Sequence, residues 1–166
     1  MNAQDHDALD GAVWTDADFE QMGWHDATVH AIAFRESDDV GELLLDLDYI
    51  VRWIDPQPPS EYFRFLVAPA TLVFENVWSL EGDLALYAKR TILEVDGIER
   101  HEPEDERQRA AHMTLWVIDG HEFGLRFLAT GFRQHFRARP IEVESQRLSA
   151  EQRGGFSFEQ PTAFPG

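Results

Sequence analysis

Apolar and polar positions alternate with a period of two over most of this chain. In ELLLDLDYIVRWI, one set of alternate positions carries Leu43, Leu45, Leu47, Tyr49, Val51 and Trp53. The other set carries Glu42, Leu44, Asp46, Asp48, Ile50, Arg52 and Ile54. Such alternation predicts a half-buried strand, because successive side chains of extended backbone point to opposite faces. Thr28 to Phe34 alternates in the same way, and ESDDVG between the two runs is turn chemistry, so a hairpin is expected. Matching apolar faces sets Ile32 and Phe34 beside Leu43 and Leu45. In that register His30 falls on the apolar face, where a histidine is more often a hydrogen-bonded core residue than a ligand.

Further along, DPQPPS breaks the pattern, YFRFLVA predicts a strand stopped at Pro69, and ATLVFENVWSL predicts the next. GDLALYAKRTILEVDG is strand-like with room for a short helix, and ERHEPEDERQR reads as a solvated charged loop. Asp119-Gly120, between β-rich runs, is the strongest hairpin signal. FRQHFRARPIEV predicts a last strand ended by Pro140. Near the start, TDADFEQMG predicts one short helix, with Thr15 as N-cap, Asp18 near the capping-box position and Gly23 as its stop. The sum is a mainly β fold: an antiparallel sheet of about seven to eight strands, as a sandwich or a bent, barrel-like sheet, with one short N-terminal helix. Residues 1–13 are expected to be a flexible N-terminus, 14–143 a single β-rich domain, and 144–166 a polar C-terminal tail partly draped over it. Trp53, Trp78 and Trp116 sit in strand patterns and are expected in the core; exposed tryptophans would instead mark a binding surface.

Composition narrows the functional classes. The 166 residues hold 31 acids against 14 lysines and arginines, a formal charge of −17. A phosphate backbone is repelled by such a chain, so nucleic acid is not an expected partner; the acidity itself reads either as solubility or as steering towards a basic partner protein. The absence of cysteine removes disulfides and thiolate chemistry and points to the cytoplasm. The acidic start has no signal-peptide core, and no apolar run reaches membrane-spanning length. Phosphate loops, dinucleotide fingerprints and nucleophile elbows are missing, and His101-Glu102 and His121-Glu122 lack the second histidine of a zinc-protease helix. No cofactor is expected.

Two stretches carry candidate chemistry. In GWHD, His25 and Asp26 have the residue types of a base and its acid, or, with His30, of a metal site. The structural alternative makes Trp24 a core residue and Asp26 an acceptor of backbone N–H groups at the helix-to-strand junction. If the strand already begins at Trp24, alternation parts His25 from Asp26, and only a loop lets them act together. In GFRQHFRAR, period two gathers Arg133, His135, Arg137 and Arg139 on one face. That stripe suits an anionic ligand, or else cross-strand pairing with an acidic face such as Asp46 and Asp48.

WHDATVHAIAF, LLLDLDYIVRW and VAPATLVFENV together resemble a group of small uncharacterised bacterial β-rich proteins with a Trp-His-Asp start and an LDLDYI-like strand. The similarity covers roughly residues 24–80. It implies a β-rich domain, and some proteins of this kind are associated with immunity-type roles in which an acidic protein neutralises a toxin. It transfers no catalytic residue. The leading expectation is a non-enzymatic acidic interaction protein that holds a basic partner. A small-ligand or metal site using His25, Asp26 and the arginine stripe is the second, and a structural subunit of an assembly the third.

Overall fold

A computed structural model describes residues 9–85 and 92–166. The chain runs through β1 (Val13–Thr15), a 3-10 helix (Asp16–Gln21), β2 (Thr28–Ser37), β3 (Val40–Ile54), β4 (Arg64–Glu75) and β5 (Trp78–Leu84). It continues through β6 (Leu93–His101), α1 (Glu106–Ala110), β7 (Thr114–Gly120), β8 (Phe123–Ala129), β9 (Gly131–Phe136), β10 (Ile141–Val143) and α2 (Ala150–Arg153). The expected antiparallel, mainly β fold is present, with ten strands among the described residues in place of seven to eight, and the sheet is open. Its order is β1-β9-β4-β3-β2-β6-β7-β8-β5, with β10 paired to β4 off that path.

The sheet bends where β2 meets β6, which pair over two residues only. The bend lays one half, around β3, β4 and β9, over the other, β5 to β8. Leu43, Leu45, Leu47, Leu72 and Phe74 from the first half share one core with Val95, Trp116, Ile118 and Phe127 from the second. Aromatic edges interlock across it: Trp116 meets Phe74 and Phe132 with ring centroids 5.2 and 5.6 Å apart. Each half thus has a core face and an outer face.

Several local expectations are corrected. His30 is not on the core face. Val29 pairs with Leu47 and Ala31 with Asp46, so the strand carries a bulge between them that leaves His30 unpaired. One extra residue reverses the alternation, so His30 turns to the outer face. Pro69 does not stop its strand: β4 passes through it. Pro69 pairs with Asp48 of β3, but its backbone polar groups face the other side, where its carbonyl accepts from the Arg137 amide. There Ala70 is the last residue paired to β9 and Val67 the last paired to β10, so the missing N–H falls between those two strands. The expected charged loop contains α1, capped by the Asp105 side chain on the Arg107 amide. Trp116 is buried, but Trp53 is 43% exposed and Trp78 62%.

The turn chemistry is as expected elsewhere. Asp38 and Asp39 both adopt left-handed backbone between the paired residues Ser37 and Val40, as a two-residue hairpin loop requires. Thr15 and Asp18 close a capping box. The β7–β8 hairpin forms, although its loop centres on His121 and Glu122, just past Asp119-Gly120. At the N-terminus, Leu9 and Ala12 are buried and β1 begins at Val13, while residues 1–8 lie outside the described residues. So do residues 86–91, where room for a short helix was expected.

Candidate functional site

The outer face of the first half carries a buried charge network. Asp46 and Asp48 stand on alternate positions of β3, both at 0% exposure. Asp46 Oδ1 accepts from Arg137 Nη2 at 2.7 Å and from Arg153 Nη2 at 2.6 Å. Its Oδ2 accepts from Arg153 Nη1 at 3.1 Å and from the Ser157 amide at 3.0 Å. Asp48 Oδ2 meets His30 Nε2 at 2.8 Å and the Leu148 amide at 2.9 Å, and its Oδ1 accepts from Arg153 Nε at 3.2 Å. Two carboxylates and two guanidiniums therefore neutralise each other out of water. Burial alone pushes the Asp48 carboxyl up, but the His30 and Leu148 hydrogen bonds and the charges of His30 and Arg153 outweigh it and hold the pKa below the ordinary value. The same aspartates raise Arg153 against its own burial.

Residues 144–166 close this face. Leu148 packs beside Ile50, Phe65 and Val67. Ser149 and Gln152 cap α2 reciprocally, and Arg153 leaves its last turn to reach the aspartates. Gly154 and Gly155, both left-handed, then turn the chain back, so that the Gly155 carbonyl accepts from Arg153. Arg137 donates to the Ser157 carbonyl at 3.0 Å and to Thr71 Oγ1 at 2.9 Å.

The arginine stripe is thus dispersed. Arg137 is buried in the network, and Arg133 pairs with Glu75 at 2.6 Å. His135 is buried and donates from Nδ1 to the Pro161 carbonyl; burial first, then the Arg133 charge, lowers its pKa. Arg139 covers the Phe164 ring at 4.7 Å. Of the residues expected to hold a metal, His30 joins Asp48, whereas His25 and Asp26 lie in a turn closed by the Ala27 amide on the Trp24 carbonyl. Asp26 is left-handed there, and its carboxylate lies 3.6 Å from His25 Nε2 and accepts from Gln146 rather than from backbone amides. His25 is 68% exposed. Trp24 is in the core and donates to Gln134 Oε1 at 2.8 Å. Among the described residues no three histidine or acidic side chains are arranged to hold a metal ion.

Sequence reasoning missed Arg153, the residue that ties both aspartates together. The signal was in SAEQRGG: a serine cap, a glutamine three residues on, and a glycine stop around one arginine.

The outer face of the second half is different. Opposite the core positions Ile98, Trp116, Ile118 and Phe127, the strands align Glu99, Val117, Arg126 and Glu81 in one row, and Gly97, Asp119, Gly124 and Asp83 in the next. Glu81, Asp83, Glu99, Asp119 and Arg126 are exposed. Glu81, Asp83 and Asp119 enter no ion pair with any described residue. The segment carrying α1 crosses only one end, where a cavity of about 330 Å³ is lined by Glu81, Glu104, Asp105, Leu115, Arg126 and Leu128 among others. No helix among the described residues is long and apolar enough to cross a membrane. No protein-family model, curated protein or solved structure matches this chain.

Proposed function

We propose that this is a non-enzymatic interaction protein of the cytoplasm that holds a basic partner protein against the outer face of β5 to β8. One observation carries the reading: the buried acids of the covered half are answered by the chain's own arginines, whereas the exposed Glu81, Asp83 and Asp119 of the other half enter no ion pair with any described residue. Arginines 133, 137 and 153 meet Glu75, Asp46 and Asp48 on the covered half. On the other half Glu81, Asp83 and Asp119, without an ion pair among the described residues, flank Arg126 across adjacent strands. Such a field speeds encounter with a cationic surface and repels anionic ones. Residues 24–80 resemble small bacterial β-rich proteins, some of which are associated with immunity-type roles, and that suggests a toxin as the partner.

The experiment is recovery of partners from the native host by the wild-type protein and by a Glu81→Lys/Asp83→Lys/Asp119→Lys variant, at low and high salt. A basic protein retained by the wild type at low salt, and lost to the variant, supports the reading. Equal retention by both proteins, or no basic protein at either salt, contradicts it.

A further inference from the structure

The β3–β4 hairpin reaches beyond its neighbours. Pairing of β2 to β3 extends only to Asp48, and pairing of β9 to β4 only to Ala70, whereas β3 and β4 stay paired out to Ile54 and Arg64. Among the described strands, β10 alone pairs with this projection, at Phe65 to Val67, and Leu148 packs on the same stretch. A projecting hairpin usually ends in polar turn residues. This one carries Trp53, Tyr62 and Phe63 in exposed positions, with Tyr62 at 81%. Trp53 stands edge-on to both Phe63 and Phe65, with centroids 5.8 and 5.0 Å apart. The register shift between Ile50 and Arg52 puts Trp53 opposite Phe65, and so off the core face that strict alternation gives it.

Beside these rings lies a cavity of about 430 Å³ lined by Ser60, Tyr62, Phe63, Arg64, Phe65 and Glu144. Arg64 is paired with Glu142 across the strands, so its charge is answered. Glu144 is exposed and has no partner among the described residues. Asp55 and Glu61, also exposed, follow and precede the paired ends of the hairpin. Aromatic faces attract cations through their quadrupole, and an apolar wall accommodates the aliphatic stem of a long basic side chain. A carboxylate at the mouth supplies the counter-charge.

We propose that this hairpin tip is an anchor for an arginine side chain of the partner polypeptide, with Tyr62 and Phe63 against the stem and guanidinium plane and Glu144 pairing its charge. The proposal rests on the reading above for the basic character of the partner, but it names a separate surface. Arginine suits the site better than lysine because its planar cation stacks on rings and bridges to a carboxylate at once.

The test is titration of the full chain with a short arginine–glycine peptide and with the same peptide carrying citrulline, which keeps the shape and removes the charge. For the wild type, the citrulline peptide should bind about tenfold more weakly than the arginine peptide. Tyr62→Ala/Phe63→Ala should weaken the arginine peptide by about tenfold, and Glu144→Gln by about threefold. Unchanged thermal melting of Tyr62→Ala alone, at the more exposed position, guards against a folding artefact. Equal affinity for both peptides overturns the proposal, as does a tip variant that binds like the wild type. If only Glu81→Lys/Asp83→Lys/Asp119→Lys loses the arginine peptide, the anchor fails and the acidic face stands. If only the tip variants lose it, the anchor stands and the acidic face fails. No saturable binding by the wild type overturns both.

Discussion

The two halves of the bent sheet share one core and differ on the other side. In β3 and β4 the middle residues are buried on both faces, because residues 144–166 lie over the outer one. In β5 to β8 burial is one-sided or slight. The covered half places two aspartates and two arginines out of water, at full mutual satisfaction; the open half has Glu81, Asp83 and Asp119 in solvent with no counter-charge among the described residues. Charge alone does not distinguish structure from function in this molecule. Covering does: a buried carboxylate must be answered by the same chain, and an exposed one is free to be answered by another.

The largest way to break the contrast is to uncover the first half. A chain ending at Val143 leaves Asp46, Asp48 and Arg137 short of their partners and bares Ile50 and Val67. It is expected to be unfolded by circular dichroism, since the loss approaches the whole stability of about 5–15 kcal/mol typical of a domain. Next come single charges. Asp46→Asn or Arg153→Met should cost about 3–5 kcal/mol in urea denaturation, because each leaves buried charge unanswered. Asp83→Asn on the open half should stay within about 0.5 kcal/mol. Equal costs would erase the distinction between the halves.

Acid titration sharpens it further. His135 has a lowered pKa, so its contribution is complete above its ordinary value of 6.5 and is lost as pH falls through the lower folded value. Asp48 is likewise lowered, so its contribution is complete above 3.8 and is lost as pH falls through its folded value. Asp16, raised chiefly by burial, acts in the opposite direction just above 3.8. Denaturation midpoints should therefore decline in two acid steps, and His135→Gln should remove the upper one. His30→Gln is expected to cost about 1.5–3 kcal/mol, the worth of one hydrogen bond to a charged group.

Much of the frame was legible in the sequence, because it depends on alternation and on turn residues: the β2–β3 hairpin, the short capped helix and the shared face of Asp46 and Asp48. The pairing of the arginine stripe with that face was one of two readings open, and Arg137 takes it up. What escaped were departures of a single residue. A bulge carries no compositional mark, so His30 changed face unseen, and Trp53 did so beyond the second shift. Pro69 looked like a stop because a sequence does not show where neighbouring strands end. Arg153 was hidden in a stretch polar enough to read as a tail, although its capping signals were present.

Chemical-shift mapping of the isotopically labelled protein with the arginine–glycine peptide tests the division between the halves most directly. Perturbed amides are expected at Glu81, Asp83, Val117, Asp119 and Arg126, together with the Tyr62–Phe63 tip, and unmoved amides at Asp46, Asp48, Leu148 and Ser157. Perturbation centred on the Asp46–Asp48 network, with β5 to β8 silent, would contradict that division.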